Sequence, residues 1–258
     1  QPQTAEVTSP PVPIVSPSEP PASPVIKATP GRVLQTAPVV PVPVVEASPS
    51  PVSTASPTPA KSVNFSDVPA DFWARSYITA LAERNIVVGF KDNTFRPNQP
   101  VTRAEFAVLL AKAFEQKAVA KVPNYKDVPS NFWAAPAIQE ATRSGFLQGY
   151  PKTVFQPNQH IPRVQTLVAL TSGLGLAPSS TPNQGLNNFY QDAAKIPKYA
   201  TQSVAAATQQ GLVVNYPNLK LLNPNQKATR AEVTAMVYQA LVQARKAEAI
   251  PSIYVVKP

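Results

Sequence analysis

Three arginines recur beside the same short motif along this 258-residue chain. Arg103 and Arg230 lie in the motif TRAE, and Arg163 lies in the related motif PRVQ. A guanidinium group is a planar fork of donors that can hold a carboxylate through two parallel hydrogen bonds. Three such groups at equivalent positions predict contacts with an acidic polymer, and the formal net charge of +9 favours the same class of partner.

The arginines belong to a longer pattern that occurs three times. DVPADFWA at 67–74 returns as DVPSNFWA at 127–134, and FRPNQPVTRAE at 95–105 has related copies at 155–165 and 222–232. Self-similarity at this spacing indicates a repeat architecture. We place the repeats at 64–117, 124–176 and 188–245, followed by a C-terminal tail at 246–258.

Each repeat predicts a helix, a loop and a second helix, so the expected fold class is all-α. The first helix carries apolar residues at i, i+4, i+5 and i+8, which should form one buried face. It should end where Asn85, Gly145 and Gly211 recur, because Asn and Gly accept the left-handed conformation. The apolar face comprises Trp73, Tyr77, Ile78 and Leu81 in repeat 1 and Trp133, Ala137, Ile138 and Ala141 in repeat 2.

The motif TRAE also predicts a capping box at the start of the second helix. The hydroxyl of Thr102 or Thr229 should accept from the amide three residues on, while Glu105 or Glu232 accepts from the amide of the cap. This structural role explains the threonine and the glutamate without any ligand. It leaves only the arginine between them unexplained.

Repeat 2 lacks this capping box. Pro162 replaces the threonine and Gln165 replaces the glutamate. We therefore expect Arg163 to be held less firmly than Arg103 and Arg230, and to bind a ligand less well.

The first 62 residues differ in composition from the rest. Of the 32 prolines, 16 precede residue 61, and this stretch contains no aromatic side chain. Proline fixes φ and removes an amide donor, so neither a helix nor a sheet ladder can propagate. We predict a disordered proline-rich tether at 1–62, with a ligand for proline-binding modules as the less favoured alternative.

Composition argues against several classes of function. The chain has no cysteine and a single histidine, His160, so we expect no disulfide, metal site or cofactor. Its apolar runs are too short for a transmembrane helix. We interpret Asp67 and Asp127 as helix-entry turns and find no catalytic arrangement, so no enzymatic activity is predicted. The basic residues are scattered singly, which argues against nucleic-acid binding.

These motifs together resemble the S-layer homology repeat, in three tandem copies over 64–245. The sequence segments FWA and PNQPVTRAEFA look similar to those of cyanobacterial members. The resemblance implies a pseudo-threefold bundle in which the second helices pack centrally. It also implies a module that anchors proteins non-covalently to the bacterial cell wall, by binding peptidoglycan or an anionic, often pyruvylated, polysaccharide in grooves between repeats.

By position, the resemblance implies three groove-facing residues per repeat. For each aromatic residue among them, a core or interface anchor is the alternative interpretation. The family prefers an acidic residue where Lys152 stands in repeat 2. The implied glycan-binding residues are Arg103, Arg163 and Arg230; Trp73, Trp133 and Tyr199; and Phe90, Tyr150 and Tyr216.

The resemblance further implies an exported protein of the cell envelope, in the periplasm or at the wall surface. The chain begins at Gln1 and its only methionine is Met236. We therefore expect a segment ahead of Gln1, with an envelope protein fused or associated there. The alternative function is a helical protein-interaction scaffold of the cell envelope without glycan binding.

Overall fold

The computed structural model describes residues 63–114, 122–177 and 185–257. These residues form helices, turns and isolated β-bridges without a β-strand, so the predicted all-α class is confirmed. The tether predicted at 1–62 lies outside them. The helices are α1 (Arg75–Glu83), α2 (Arg103–Ala113), α3 (Ala135–Arg143), α4 (Arg163–Gly173), α5 (Leu186–Phe189), α6 (Thr201–Gln209) and α7 (Arg230–Gln243), with 3-10 turns at Ala193–Lys195 and Lys198–Ala200.

None of the helices in this part of the chain is long and apolar enough to cross a membrane.

Capping boxes start α2 and α7. The amide of Glu105 donates to Thr102 Oγ1 at 3.2 Å, and the amide of Thr102 donates to the Glu105 carboxylate at 2.7 Å. Thr229 and Glu232 repeat both bonds at 3.3 and 2.8 Å. Pro162 precedes α4 without a side-chain cap.

The first helices end in the left-handed conformation that the sequence predicts. Asn85, Gly145 and Gly211 have φ values of 56°, 79° and 65°. Each residue follows the C-cap residue of its helix. The positive φ terminates the helix and directs the chain back toward the core.

The prediction that a tryptophan begins each buried face is wrong for Trp133, whose exposed fraction is 62%. Helices α1 and α3 begin two residues after Trp73 and Trp133, because a tight turn precedes each helix. Tyr77 and its apolar neighbours on α1 are buried as predicted. The tryptophans therefore lie at the edge of the core rather than inside it.

An aspartate at the start of each repeat clamps the loop of that repeat. The Asp67 carboxylate accepts from the amides of Phe95 and Arg96, both at 2.7 Å. Asp127 and Asp192 make the same pair of bonds in repeats 2 and 3. The second amide in each pair belongs to a residue with positive φ, namely Arg96, Gln156 and Asn223. These aspartates therefore fix distant loops, and their role is larger than the helix-entry turns we expected.

Backbone hydrogen bonds join the three repeats in a cycle. The amide of Val101 donates to the carbonyl of Ala228, the amide of Ala228 donates to Ile161, and the amide of Ile161 donates to Val101, each at 2.9 Å. All three side chains are buried. Each repeat thus satisfies a buried polar group of the next one, as buried backbone requires.

Helix packing follows the same cyclic order. The second helix of each repeat packs against the first helix of the following repeat: α2 against α3, α4 against α6, and α7 against α1. Helices α2 and α4 also contact α7, which is buried from Val233 to Leu241 on all its faces. The hydrophobic core is therefore shared by all three repeats.

We expect the repeats to unfold as one cooperative unit, because none buries its apolar face alone. Urea unfolding of the full chain should show one transition by circular dichroism and by tryptophan fluorescence. A chain ending at Ala177 should lose helical signal throughout, since α7 and the Ala228 carbonyl are removed. A helical signal in this shortened chain that matches α1 to α4 would contradict a shared core.

We also expect Asp67→Ala to lower the free energy of unfolding by about 2–4 kcal/mol, because two amides lose a charged acceptor. Asp71→Ala is the matched control, since Asp71 is an exposed aspartate in the same segment. Chemical denaturation measures both variants. Equal, small effects would show that the clamp contributes little.

Candidate functional site

Each arginine of the repeated motif is the first residue of a second helix and reaches into the loop of the following repeat. Arg103 donates from Nε to the carbonyl of Phe155 and from Nη2 to the carbonyl of Gln148, both at 2.8 Å. Arg230 makes the equivalent bonds to Phe95 at 2.7 Å and Val88 at 2.9 Å. Repeat 3 thereby contacts repeat 1 as repeat 1 contacts repeat 2.

Arg163 makes the most extensive set of contacts. Its Nε donates to the carbonyl of Leu222 at 2.8 Å, and its Nη2 donates to the carbonyl of Val214 at 3.2 Å and to Asn215 Oδ1 at 2.6 Å. Its Nη1 lies 2.8 Å from Glu232 Oε1. This last contact is an ion pair without the alignment of a hydrogen bond.

The arginines are unusually buried for cations. Arg103 is 4% exposed and Arg163 is 2% exposed, while Arg230 is partly accessible. Burial lowers the pKa of each guanidinium. Arginine nonetheless stays protonated in proteins, so three cations lie at the junctions between repeats.

These contacts change what we expect of the arginines. Arg163 is the most constrained of the three, so the prediction that it is held less firmly is wrong. Residues of repeat 3 hold its side chain, and the missing capping box does not make it mobile. Two of the donor groups of each arginine serve the fold. Glycan binding by Arg103, Arg163 and Arg230 stays a prediction.

We name the three junctions grooves 1, 2 and 3 after the repeat that supplies the loop, and we assign residues to them by their register in the repeats. Each groove combines a loop aromatic, the third residue of a second helix, an aromatic from the next repeat and an arginine from the preceding one. Groove 1 contains Phe90, Glu105, Trp133 and Arg230; groove 2 contains Tyr150, Gln165, Tyr199 and Arg103; groove 3 contains Tyr216, Glu232, Trp73 and Arg163.

Groove 2 brings its four residues together around Tyr150. The guanidinium carbon of Arg103 lies 4.7 Å from the centre of the Tyr150 ring, and the Tyr150 hydroxyl lies 3.4 Å from Gln165 Oε1. Tyr199 also hydrogen-bonds Gln165, and burial raises the pKa of Tyr199. Tyr199 is still 50% exposed, so its ring is accessible to a ligand.

Groove 1 has an open aromatic surface. The guanidinium carbon of Arg230 lies 5.1 Å from the centre of the Phe90 ring, and that of Arg96 lies 3.8 Å from the same ring. The repeat register assigns Trp133 to this groove, where α2 packs against α3. Val88 is 58% exposed in the loop that Arg230 holds.

In groove 3 the aromatic residues pack on one another, although Tyr216 stays 47% exposed. The rings of Trp73 and Tyr216 stack 5.1 Å apart at an interplanar angle of 8°. Tyr254 of the C-terminal tail meets both rings edge-on, at 6.2 and 5.0 Å. A cavity of about 330 Å³ lies beside this cluster, between α1 and residues 250–254.

Backbone hydrogen bonds attach the tail to repeat 3. The amide of Asn215 donates to the carbonyl of Tyr254, and the amide of Val256 donates to Val213, both at 2.9 Å. Val214 and Val255 form an antiparallel bridge. The repeat pattern does not predict this contact, although the run of β-branched and aromatic residues in IYVV is typical of an extended segment.

The described residues contain no group of three or more His, Cys, Asp or Glu side chains placed to hold a metal ion. His160 pairs through its backbone with Thr102, next to the cycle of hydrogen bonds. His160 therefore lies at the junction between repeats 1 and 2.

We expect Arg103→Ala to lower the free energy of unfolding by about 2–4 kcal/mol, because two loop carbonyls lose their donors. Arg103→Lys should recover only part of this, since one ammonium does not reproduce the guanidinium fork. Thr102→Ala should cost about 1 kcal/mol through the lost cap. Arg143→Ala, which breaks a half-exposed ion pair with Glu140, is the control in the same urea titrations. Equal effects of Arg103→Ala and Arg143→Ala would contradict a structural role for Arg103.

We also expect removal of residues 250–258 to expose Trp73. A Trp133→Phe background leaves Trp73 as the single tryptophan. Its fluorescence should shift to longer wavelength after truncation, because Tyr254 no longer covers the ring. Circular dichroism checks that the helices persist, and an unchanged emission maximum would show that the tail does not shield groove 3.

A model described as "S-layer homology domain" matches residues 64–107, 124–165 and 189–234. Among curated relatives, this chain is 35% identical over 182 residues to "Exoglucanase XynX" of Acetivibrio thermocellus, covering 70% of this chain and 16% of that protein. It is 30% identical over 123 residues to the "Cellulosome-anchoring protein" of the same species, covering 45% and 27%.

It is also 26% identical over 173 residues to the "Surface-layer 125 kDa protein" of Lysinibacillus sphaericus, covering 66% of this chain and 14% of the relative. The chain thus spans less than a third of each of these proteins. The segments matched by the family model fall on the three repeats and make up just over half of the chain. The chain therefore belongs to the S-layer homology domain family.

Proposed function

We propose that this chain attaches non-covalently to the bacterial cell wall by binding an anionic, pyruvylated polysaccharide linked to peptidoglycan. The observation that carries the proposal is the stacking of an arginine on a loop aromatic in grooves 1 and 2, to which the exposed rings of Trp133 and Tyr199 are assigned by repeat register. The names of two relatives, a cellulosome-anchoring protein and a surface-layer protein, support the same role.

The aromatic residues suit a sugar ligand. Trp133 and Tyr199 are 62% and 50% exposed, which is unusual for rings that border a shared core. An indole or phenol ring offers an apolar face that can cover the apolar face of a pyranose, and its polar edge can stay hydrated. Exposed rings at equivalent positions favour binding over packing as their function.

The charge of the domain suits an acidic polymer. Arg103 and Arg230 supply cations against the loop rings of Tyr150 and Phe90, in a chain with a net charge of +9. A positively charged domain is attracted to an anionic wall matrix at long range, and a guanidinium can then pair with a carboxylate at short range. Neither feature requires catalysis, and the proposed role is binding without enzymatic activity.

The enzyme name of the first relative describes a protein of which this chain spans 16%. We propose that the present chain supplies attachment, with an envelope protein fused or associated on its N-terminal side and with the cell envelope as its location. A protein-interaction scaffold without glycan binding is the alternative, and the wall experiment separates the two.

The test is co-sedimentation of the full chain with purified bacterial sacculi that retain their covalently linked polysaccharide. Parallel samples are stripped of polysaccharide with hydrofluoric acid. We expect binding to the first and loss of binding to the second. Equal recovery in both pellets, or in neither, would overturn the proposal and favour the scaffold function.

Trp133→Ala and Tyr199→Ala should each weaken binding to intact sacculi about tenfold, equivalent to roughly 1.4 kcal/mol, because each removes an aromatic anchor. Ile253→Ala is the matched control, since Ile253 is an exposed apolar residue outside grooves 1 and 2 and is 77% exposed. Binding isotherms from the sedimentation assay measure all three. Similar losses for the control would assign the effect to general surface hydrophobicity.

A further inference from the structure

We propose that groove 2 is the groove that accepts the carboxylate of the ligand, and that Gln165 determines this specificity. The inference rests on the proposed function and adds which of the three junctions reads the acidic group. It depends on the third residue of each second helix, which is Glu105 in groove 1, Gln165 in groove 2 and Glu232 in groove 3.

In groove 3 the protein supplies its own carboxylate to the arginine. Glu232 Oε1 lies 2.8 Å from Nη1 of Arg163, and this nitrogen is fully buried. A ligand carboxylate would have to displace Glu232 from a buried ion pair, and like charges would then oppose each other. In the same groove the ring of Trp73 already stacks on that of Tyr216, so a ligand would have to compete with this contact.

In groove 1 a carboxylate also acts on the arginine. Glu105 raises the pKa of Arg230 more than any other acidic residue does, against the lowering effect of burial. Nearby, Arg96 pairs with Asp92 at 3.0 Å. Negative charge from the protein therefore already balances part of the positive charge in groove 1.

Groove 2 has no acidic residue at the position equivalent to Glu105 or at the position equivalent to Asp92. The side-chain amide of Gln165 is neutral. It contacts the hydroxyl of Tyr150, and Arg103 lies over the ring of the same tyrosine. Lys152 stands in this loop where Asp92 stands in repeat 1. Lys152 is exposed, and none of the ion pairs among the described residues involves it.

The remaining nitrogen of Arg103 completes the site. Its Nε and Nη2 are taken by carbonyls, whereas Nη1 makes no hydrogen bond within the described part of the chain and is not sealed as Nη1 of Arg163 is. The clamp aspartate near Arg103 has counterparts near Arg163 and Arg230, so it does not distinguish the grooves. Groove 2 is therefore the junction in which neither the third residue of the second helix nor the loop position of Lys152 supplies a carboxylate.

A single substitution tests this assignment. Gln165→Glu places in groove 2 the carboxylate that grooves 1 and 3 already have. Pro162 has no amide hydrogen, so the new carboxylate cannot be used in a capping box and stays available to Arg103. An acidic residue near a helix N-terminus is compatible with folding, and circular dichroism verifies that the variant is folded.

The probe is a methyl hexopyranoside carrying a 4,6-pyruvyl ketal, compared with the same glycoside without the ketal, in calorimetric titrations of the full chain. The wild type should bind the ketal at one site and at least tenfold more tightly than the neutral glycoside. Gln165→Glu should lose at least tenfold in affinity for the ketal and keep its affinity for the neutral glycoside. Gln165→Ala should retain the preference for the ketal.

The reciprocal variant is Glu105→Gln, because glutamine at this position still closes a capping box. It should raise the number of ketal sites from one to two. Ketal binding that is unchanged in Gln165→Glu, or equally reduced in Gln165→Ala, would overturn the role of Gln165. A wild type that binds sacculi without preferring the ketal would overturn this inference alone, whereas a wild type that does not bind sacculi would overturn the proposed function and this inference with it.

Discussion

The fork of an arginine that spans two carbonyls of the next repeat is the interaction on which the rest of this structure depends. Loops with positive φ residues leave carbonyl groups that no helix or sheet satisfies, and burying them unpaired is costly. Arg103, Arg163 and Arg230 supply the missing donors from the first residue of a second helix. An aspartate clamp fixes the same loop from within its own repeat. Each loop is therefore held from two sides, and the repeats cannot separate without exposing cations and carbonyls together.

In this arrangement the same arginine side chain can stabilise the fold and contact a ligand. A guanidinium has five donors, and the fold uses only some of them, so the same group can stabilise a junction and face a groove. The three junctions share this frame but differ in what faces the arginine. Glu232 forms an ion pair with its arginine, Glu105 raises the pKa of its arginine, and Gln165 places a neutral amide at the same position. Near-identical repeats thus produce three chemically different grooves.

The C-terminal tail adds a second source of difference. Its backbone pairs with the loop of repeat 3, and Tyr254 meets the stacked rings of Trp73 and Tyr216 edge-on. Repetition alone would make all three grooves alike, because each is built from the same elements. The aromatic residues of groove 3 instead pack on one another, and part of the Tyr216 ring stays exposed beside them.

The sequence by itself determined the repeat pattern, the all-α class, the capping boxes at Thr102 and Thr229 and the helix ends at Asn85, Gly145 and Gly211. These features depend on local spacing and on backbone preferences, which act over a few residues. Only the tertiary structure decided that the arginines bond the following repeat, that Asp67 clamps a loop 28 residues away, and that Tyr254 packs on the rings of groove 3. The partners in those contacts are up to 181 residues apart, the separation of Trp73 and Tyr254, and no local periodicity identifies which residues will meet across a closed cycle of repeats.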